Sequence, residues 1–162
     1  MSRRQRWFIG TAVFIVLAGT SAAPLHGQLA VVVLQLKSPQ QLVEIPDDRG
    51  RTRLWRFEAH FQKYDSGRTT GGMKLERASE LYEFRVTQID ALVEGGEVLR
   101  VVFEGRGLKT SGNRSEDFEF TGTVEPAAAG GDILIYDIQD GFVYEKPSFE
   151  AEGALTSSGN VR

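Results

Sequence analysis

The amino-acid sequence predicts an all-β fold, an antiparallel meander of about eight strands that forms a small barrel or half-barrel or a two-sheet sandwich. Residues 53–64 alternate apolar and polar side chains, and 18 glycines separate segments rich in Val, Ile, Phe and Tyr. Asp140-Gly141 lies between two apolar runs, which is the pattern of a tight hairpin. Glycines inside the strands favour the barrel, because a curved strand needs backbone freedom where it bends.

The stretch Arg53–Tyr64 is the clearest strand, and we expect the core to form around it. Its two faces carry different residues: Trp55, Phe57, Ala59 and Phe61 on one, and Arg56, Glu58, His60 and Gln62 on the other. A period of two places these sets on opposite sides of a strand. Aromatic side chains bury the largest apolar area, so we expect the first face to lie in the core.

Residues 1–27 have the composition of an export signal. Three arginines precede the apolar run Trp7–Gly19, and small residues follow it. We predict a hydrophobic helix that is cleaved as a signal peptide, after Ala22 or Gly27. The alternative is an uncleaved membrane anchor, because Trp7–Ala23 approaches the length of about 17–25 residues that spans a bilayer. In both cases the rest of the chain is predicted to be exported, as a periplasmic or secreted protein or facing outwards from the membrane.

The remaining chain is predicted to form one β domain, residues 28–156, followed by a disordered tail, residues 157–162. The leader contains three of the 19 basic residues and no acidic residue, so the remainder has 16 basic and 22 acidic residues and a net charge of −6. Nucleic acid is therefore not an expected partner, since phosphate backbones require clustered positive charge. The chain has no cysteine, so a packed core must stabilise it without disulfides.

The first half of the domain contains segments of unequal clarity. Leu29–Leu36 is dense in β-branched residues and is predicted to be a strand that ends before Pro39, with a brief second strand at Gln41–Ile45. Asp65–Gly72 has the composition of a loop. Leu81–Ile89 is predicted to be a strand, whereas Met73–Glu80 is compatible with a strand or with one or two helical turns.

The second half has more regular strand patterns. The expected strands are Val98–Phe103, Phe118–Val124, Ile133–Ile138, Phe142–Glu145 and Phe149–Leu155. Lys109–Ser115 is expected to be a hairpin loop and Pro126–Gly131 a connector. An aromatic residue precedes a glycine in three of these segments, which we interpret as shared strand geometry and not as a duplication.

No cofactor and no metal ion is predicted. The chain has two histidines and no cysteine, which excludes a cluster of His and Cys ligands. Asp137–Gly141 lacks the alternating oxygen ligands of a calcium loop, and Gly105-Arg106-Gly107 lacks the third glycine of a phosphate-binding loop.

The polar face of Arg53–Tyr64 contains the one candidate for acid/base chemistry, His60. If this face lined the interior of a barrel, Glu58 could orient the imidazole and Arg56 could bind an anionic group. The alternative is that the face points outwards and its charges are solvated, as in most half-buried strands. We favour the solvated face, because no nucleophile motif accompanies the histidine.

The aromatic face has two interpretations as well. Trp55, Phe57 and Phe61 could line a cavity for an apolar ligand, or they could be core residues only, and small barrels usually fill themselves with side chains. We therefore predict a non-enzymatic exported domain that binds a small apolar ligand or, along an exposed strand edge, another envelope protein. The alternatives are a membrane-anchored structural subunit of an envelope complex and, third, an enzyme that uses His60.

Overall fold

The computed structural model describes residues 30–128, 132–139 and 148–158, which form nine β-strands. The strands are β1 Val32–Pro46, β2 Thr52–Tyr64, β3 Thr69–Arg77, β4 Glu80–Glu94, β5 Glu97–Ser111, β6 Arg114–Pro126, β7 Ile133–Gln139, β8 Ser148–Glu152 and β9 Ala154–Ser157. They pair antiparallel in a single sheet with the order β8-β7-β6-β5-β4-β3-β2-β1-β9. This confirms the predicted all-β meander.

The sheet closes on itself as a nearly complete barrel. Strands β8 and β9 are consecutive in the chain and are separated by Gly153 alone. The first pairs with β7 and the second with β1, so one bent C-terminal segment joins the two ends of the meander. Of the two architectures that the sequence allows, the structure is therefore the barrel.

The bend at Gly153 packs tightly against β1. A Cβ at this position would collide with the Ser38 hydroxyl and would lie 2.9 Å from a methyl group of Leu134. The Ser38 hydroxyl is itself buried and shares a hydrogen bond of 2.7 Å with the Tyr136 hydroxyl. Closure of the barrel thus requires a residue without a side chain at Gly153.

The remaining opening, which we call the seam, lies between Gln40–Pro46 of β1 and β8. Among the described residues, no backbone hydrogen bond joins these two segments. The side chain of Gln41 crosses the seam instead. Its amide nitrogen donates to the Glu152 carbonyl at 2.8 Å, and its amide oxygen accepts from the Glu152 N–H at 2.7 Å. The side-chain amide therefore supplies the two hydrogen bonds that a paired backbone would make.

The interior of the barrel is a continuous apolar core. Its buried members come from strands β1 to β8, and each is 4% exposed or less. They include nine aromatic residues: Trp55, Phe57, Phe61, Tyr82, Phe84, Phe103, Phe120, Tyr136 and Phe149. Alternate residues of a strand point into the core, so the positions that are buried follow the period-two pattern of the sequence.

Glycines of β5 and β6 face aromatic rings on the neighbouring strand. Phe103 pairs with Gly122, and Gly105 pairs with Phe120. Gly107 pairs with Phe118, whose ring occupies the space that a Cβ at Gly107 would need. These pairs account for two of the three segments in which an aromatic residue precedes a glycine, because each ring covers a neighbour that has no side chain.

Several boundaries differ from those expected. The two strands expected at Leu29–Leu36 and Gln41–Ile45 are one strand, because a β-bulge accommodates an extra residue between Ser38 and Gln41. Strand β3 begins at Thr69, inside the expected loop Asp65–Gly72. It continues to Arg77, so Met73–Glu80 contains strand and turn and no helical turn.

The hairpins of the second half are tighter than expected. Strands β5 and β6 extend into the expected loop Lys109–Ser115 and leave a turn of Gly112 and Asn113 only. The predicted last strand, Phe149–Leu155, is divided at Gly153. Strand β9 includes Ser157, the first residue of the predicted tail. The leader helix in residues 1–27 and the hairpin at Asp140-Gly141 lie outside the described residues.

The seam gives the first testable prediction. Gln41→Ala removes both hydrogen bonds to the Glu152 backbone and should lower the free energy of unfolding by about 1–3 kcal/mol. The measurement is urea denaturation. Gln40→Ala is the matched control, because Gln40 is exposed on the same bulge and no described hydrogen bond uses its amide. Equal stabilities of the two variants would show that Gln41 does not close the seam.

A second prediction concerns alkaline pH. Burial raises the pKa of Tyr136 far above its usual value, and the hydrogen bond with Ser38 offsets a part of this effect. The folded state therefore retains a proton that the unfolded state loses above about pH 10. Stability should be fully present below that pH and should then fall by up to about 1.4 kcal/mol per pH unit from this residue.

Tyr136→Phe should make the alkaline loss of stability shallower, as measured by urea denaturation between pH 8 and 11. Ser38→Ala is the control, because it removes the hydrogen-bond partner and leaves the phenol buried, so the steep loss should remain. Parallel stability curves for wild type and Tyr136→Phe would contradict the assignment.

Candidate functional site

The two faces of β2 lie on opposite sides of the barrel wall. Trp55, Phe57 and Phe61 point inwards and are at most 1% exposed. Arg56, Glu58 and His60 are exposed on the outside. Of the two orientations considered for the polar face, the structure therefore has the outward one.

The aromatic side chains of β2 are packed between other rings. The Phe57 ring lies 4.8 Å from that of Tyr136 and 4.9 Å from that of Phe149, both in edge-to-face geometry. The rings of Phe61 and Phe103 are 5.2 Å apart. These are the separations of rings in direct contact. A ligand inside the barrel would have to displace these rings.

One end of the barrel is covered by basic side chains. The Arg77 guanidinium lies 5.6 Å from the centre of the Trp55 ring, and the Lys109 ammonium lies 5.5 Å from that of Tyr82. Trp55 and Tyr82 are themselves in edge-to-face contact at 5.7 Å. The charged groups of the two basic side chains thus lie over the aromatic rings at this end of the core, in cation–π geometry.

A groove of about 570 Å³ crosses the outside of strands β1 to β4. We call it the outer groove. Its lining comes from Lys37–Gln40 of β1, Glu58–His60 of β2, Gly71–Lys74 of β3 and Glu83–Arg85 of β4. This volume lies within the range of about 300–1,000 Å³ that is usual for small-molecule sites. Two of the three polar residues singled out on β2 thus lie in a concave surface.

Strand pairing arranges the polar side chains of the outer groove in two rows. Lys37 is paired with His60, His60 with Gly72 and Gly72 with Arg85, which gives one row across four strands. The next row contains Glu58, paired with Lys74, which is paired in turn with Glu83. The first row is basic and the second alternates in charge.

The imidazole of His60 is engaged by an amide and not by a carboxylate. Its Nε2 lies 3.2 Å from the side-chain nitrogen of Gln35. That nitrogen can only donate, so Nε2 accepts and the ring hydrogen is on Nδ1. Among the described residues, no hydrogen bond joins the ring to Glu58 or to another acid. The arrangement therefore presents a hydrogen-bond donor and does not provide an acid/base pair.

Arg56 belongs to a different part of the surface. Its guanidinium is 3.4 Å from the Glu76 carboxylate, in a second groove that Leu42 and Leu54 also line. Register places Leu42 opposite Arg56 and Leu54 opposite Glu44, so the two leucines are diagonal neighbours on the outer face. They are 67% and 57% exposed. The structure thus separates Arg56 from Glu58 and His60 and brings it beside an apolar patch.

The seam borders this patch and is acidic. Leu42 and Glu44 are exposed on the β1 side, and Glu150 and Glu152 are exposed on the β8 side. None of these three carboxylates has an ion-pair partner among the described residues. The seam thus combines unpaired strand edges, one exposed leucine and negative charge.

Leu42, Leu54 and Gln41 were not among the functional residues predicted from the sequence. Leu54 lies in phase with the polar face of β2, so an apolar residue at an outward position was a detectable signal. The orientation of Leu42 depends on the bulge between Ser38 and Gln41, which changes the phase of β1. The role of Gln41 depends on β8, which is distant in sequence, and the local pattern contains no sign of it.

The described residues contain no cluster of three or more His, Asp or Glu that could bind a metal ion. No helix within those residues is long and apolar enough to cross a membrane. No family model, no curated protein and no solved structure matches this chain. The fold and the surfaces described above are therefore the basis for a functional assignment.

Proposed function

We propose that this protein is a non-enzymatic binding module that recognises an extended segment of a partner protein at the seam. The observation that carries the proposal is the interruption of the strand ladder between β1 and β8, which among the described residues only the Gln41 side chain bridges. An extended peptide can add to the edge of β1 through backbone hydrogen bonds if it replaces the Gln41 bridge to Glu152. The leader in the sequence supports a location outside the cytoplasm, so we propose another envelope protein as the partner.

The exposed side chains around the seam define the chemistry of the partner. Leu42 offers an apolar contact next to the edge of β1, and Leu54 extends it. Glu44 and Glu150 carry negative charge on the two sides of the seam. A complementary segment would therefore alternate apolar and basic side chains, because successive residues of an added strand point to opposite faces.

A small apolar ligand inside the barrel receives less support. The aromatic rings of the interior are in contact with one another, and the side chains around them are buried. Catalysis by His60 receives less support too, since its imidazole forms a hydrogen bond with the Gln35 amide and, among the described residues, none with a carboxylate. The outer surface near the seam is the one that combines apolar exposure, charge and unpaired backbone.

The test is titration of the isotope-labelled protein with a synthetic peptide of alternating Lys and Val, followed by amide NMR and hydrogen exchange. In the free protein, the amides of Leu42–Ile45 that do not pair with β2 should exchange rapidly. The peptide should shift these amides and protect them. Leu42→Ser should weaken binding at least about fivefold, and Glu150→Gln should reduce its dependence on salt.

Leu92→Ser is the matched control, because Leu92 is 59% exposed on β4, away from the seam. It should leave the affinity unchanged. The proposal would be overturned if the peptide shifted amides elsewhere, if Leu92→Ser weakened binding as much as Leu42→Ser, or if the edge amides of Leu42–Ile45 were already protected without peptide.

A further inference from the structure

We propose that the outer groove is a second binding site, which takes the carboxylate of a small hydroxylated acid and holds it over Gly72 between Lys37, His60 and Arg85. This site lies on a different part of the barrel surface from the apolar patch of Leu42 and Leu54, and it is lined by basic and acidic side chains. It is independent of the partner segment proposed above, and either proposal can fail alone.

Register places the three side chains around a depression. Lys37 and His60 are adjacent in the row, and Gly72 separates His60 from Arg85. Neighbouring strands are about 4.8 Å apart, so the backbones at His60 and Arg85 are about 10 Å apart with no side chain between them. The gap is of a size that a carboxylate can occupy while basic side chains reach it from both sides.

The depression is fixed by the backbone. A Cβ at Gly72 would collide with the carbonyl oxygen of Phe84, and one at Gly71 would collide with that of His60. Gly71 also has a φ of 106°, which side-chain-bearing residues rarely adopt. Strands β2, β3 and β4 are therefore packed closely here, and the floor of the groove is formed by main-chain atoms that do not fill it.

The basic side chains of this row are available to a ligand. Among the described residues, neither Lys37 nor Arg85 forms an ion pair, although most other basic residues of the barrel do. Arg85 can bind a carboxylate through two parallel hydrogen bonds, and Lys37 adds a positive charge. With Nε2 engaged by Gln35, His60 has its Nδ1 hydrogen to donate.

The side chains of the second row, Glu58, Lys74 and Glu83, determine which kind of anion the outer groove can bind. Glu58 and Glu83 flank Lys74, which also forms an ion pair with Glu76 at 3.9 Å, so acidic side chains offset the basic ones of the groove and little net positive charge remains. A singly charged carboxylate matches this balance better than a doubly charged phosphate. The two glutamates can in turn accept hydrogen bonds from hydroxyl groups. The best ligand is therefore an acid with hydroxyls on the side of the second row.

The experiment is amide NMR of the isotope-labelled protein titrated separately with glucuronate, acetate, glucose and inorganic phosphate. Glucuronate should produce saturable shifts at the amides of Gly71 and Gly72. Acetate should shift the same amides more weakly, and glucose should leave them unchanged. Stronger binding of phosphate than of glucuronate would overturn the charge argument.

Arg85→Gln and Lys37→Gln should each weaken glucuronate binding at least about fivefold, which corresponds to about 1 kcal/mol. Arg114→Gln is the matched control, because it removes the same charge from the exposed β5–β6 hairpin. Since all three side chains are on the surface, the spectra should show that each variant is folded. The proposal fails if glucuronate leaves Gly71 and Gly72 unshifted, or if Arg114→Gln weakens binding as much as Arg85→Gln.

Discussion

The closure of this barrel depends on the close approach of Gly153 to β1. A meander of strands must curve enough for its last strand to meet its first, and here the last segment bends within one residue so that it can pair with both β7 and β1. The bend is possible because Gly153 has no side chain, and nothing larger than a hydrogen fits between its backbone and Ser38. On the two sides of this point lie the buried pair of Ser38 and Tyr136 and the bridge made by Gln41.

Closure determines where binding can occur. Once the sheet is curved, alternate residues of every strand meet in a small interior, and the aromatic residues fill it. The outward residues form a surface that is grooved where glycines replace side chains, as at Gly71 and Gly72, and open where strands do not pair, as at the seam. Both proposed binding surfaces therefore lie on the outside of the barrel.

Local patterns in the sequence were sufficient for much of the fold. The alternation in Arg53–Tyr64 predicted β2 and both of its faces, and the same principle identified most later strands. The sequence did not indicate the hairpin between β3 and β4. Its turn is made by Ala78 and Ser79, and Ala78 adopts a φ of 50°, a conformation in which Gly or Asn is usual.

The parts that could not be predicted depend on contacts between distant residues. A barrel and a sandwich have the same alternation, so the pattern could not decide between them, although it favoured an outward direction for Arg56, Glu58 and His60. The row formed by Lys37, His60 and Arg85 requires the register of four strands, two of which contain a bulge. The pairing of Phe103 with Gly122 could not be predicted either, because the two residues are on different strands. The sequence shows only that aromatic residues repeatedly precede glycines.

The most direct test of this account is a set of nuclear Overhauser effects between backbone protons across the closure. Within a single molecule, Leu36 should show cross-strand contacts with Leu155, and Leu134 should show them with Ala151, because the C-terminal segment pairs with β1 after Gly153 and with β7 before it. Contacts of that segment with only one of the two strands would contradict the closed barrel and, with it, the outer surfaces to which binding is assigned.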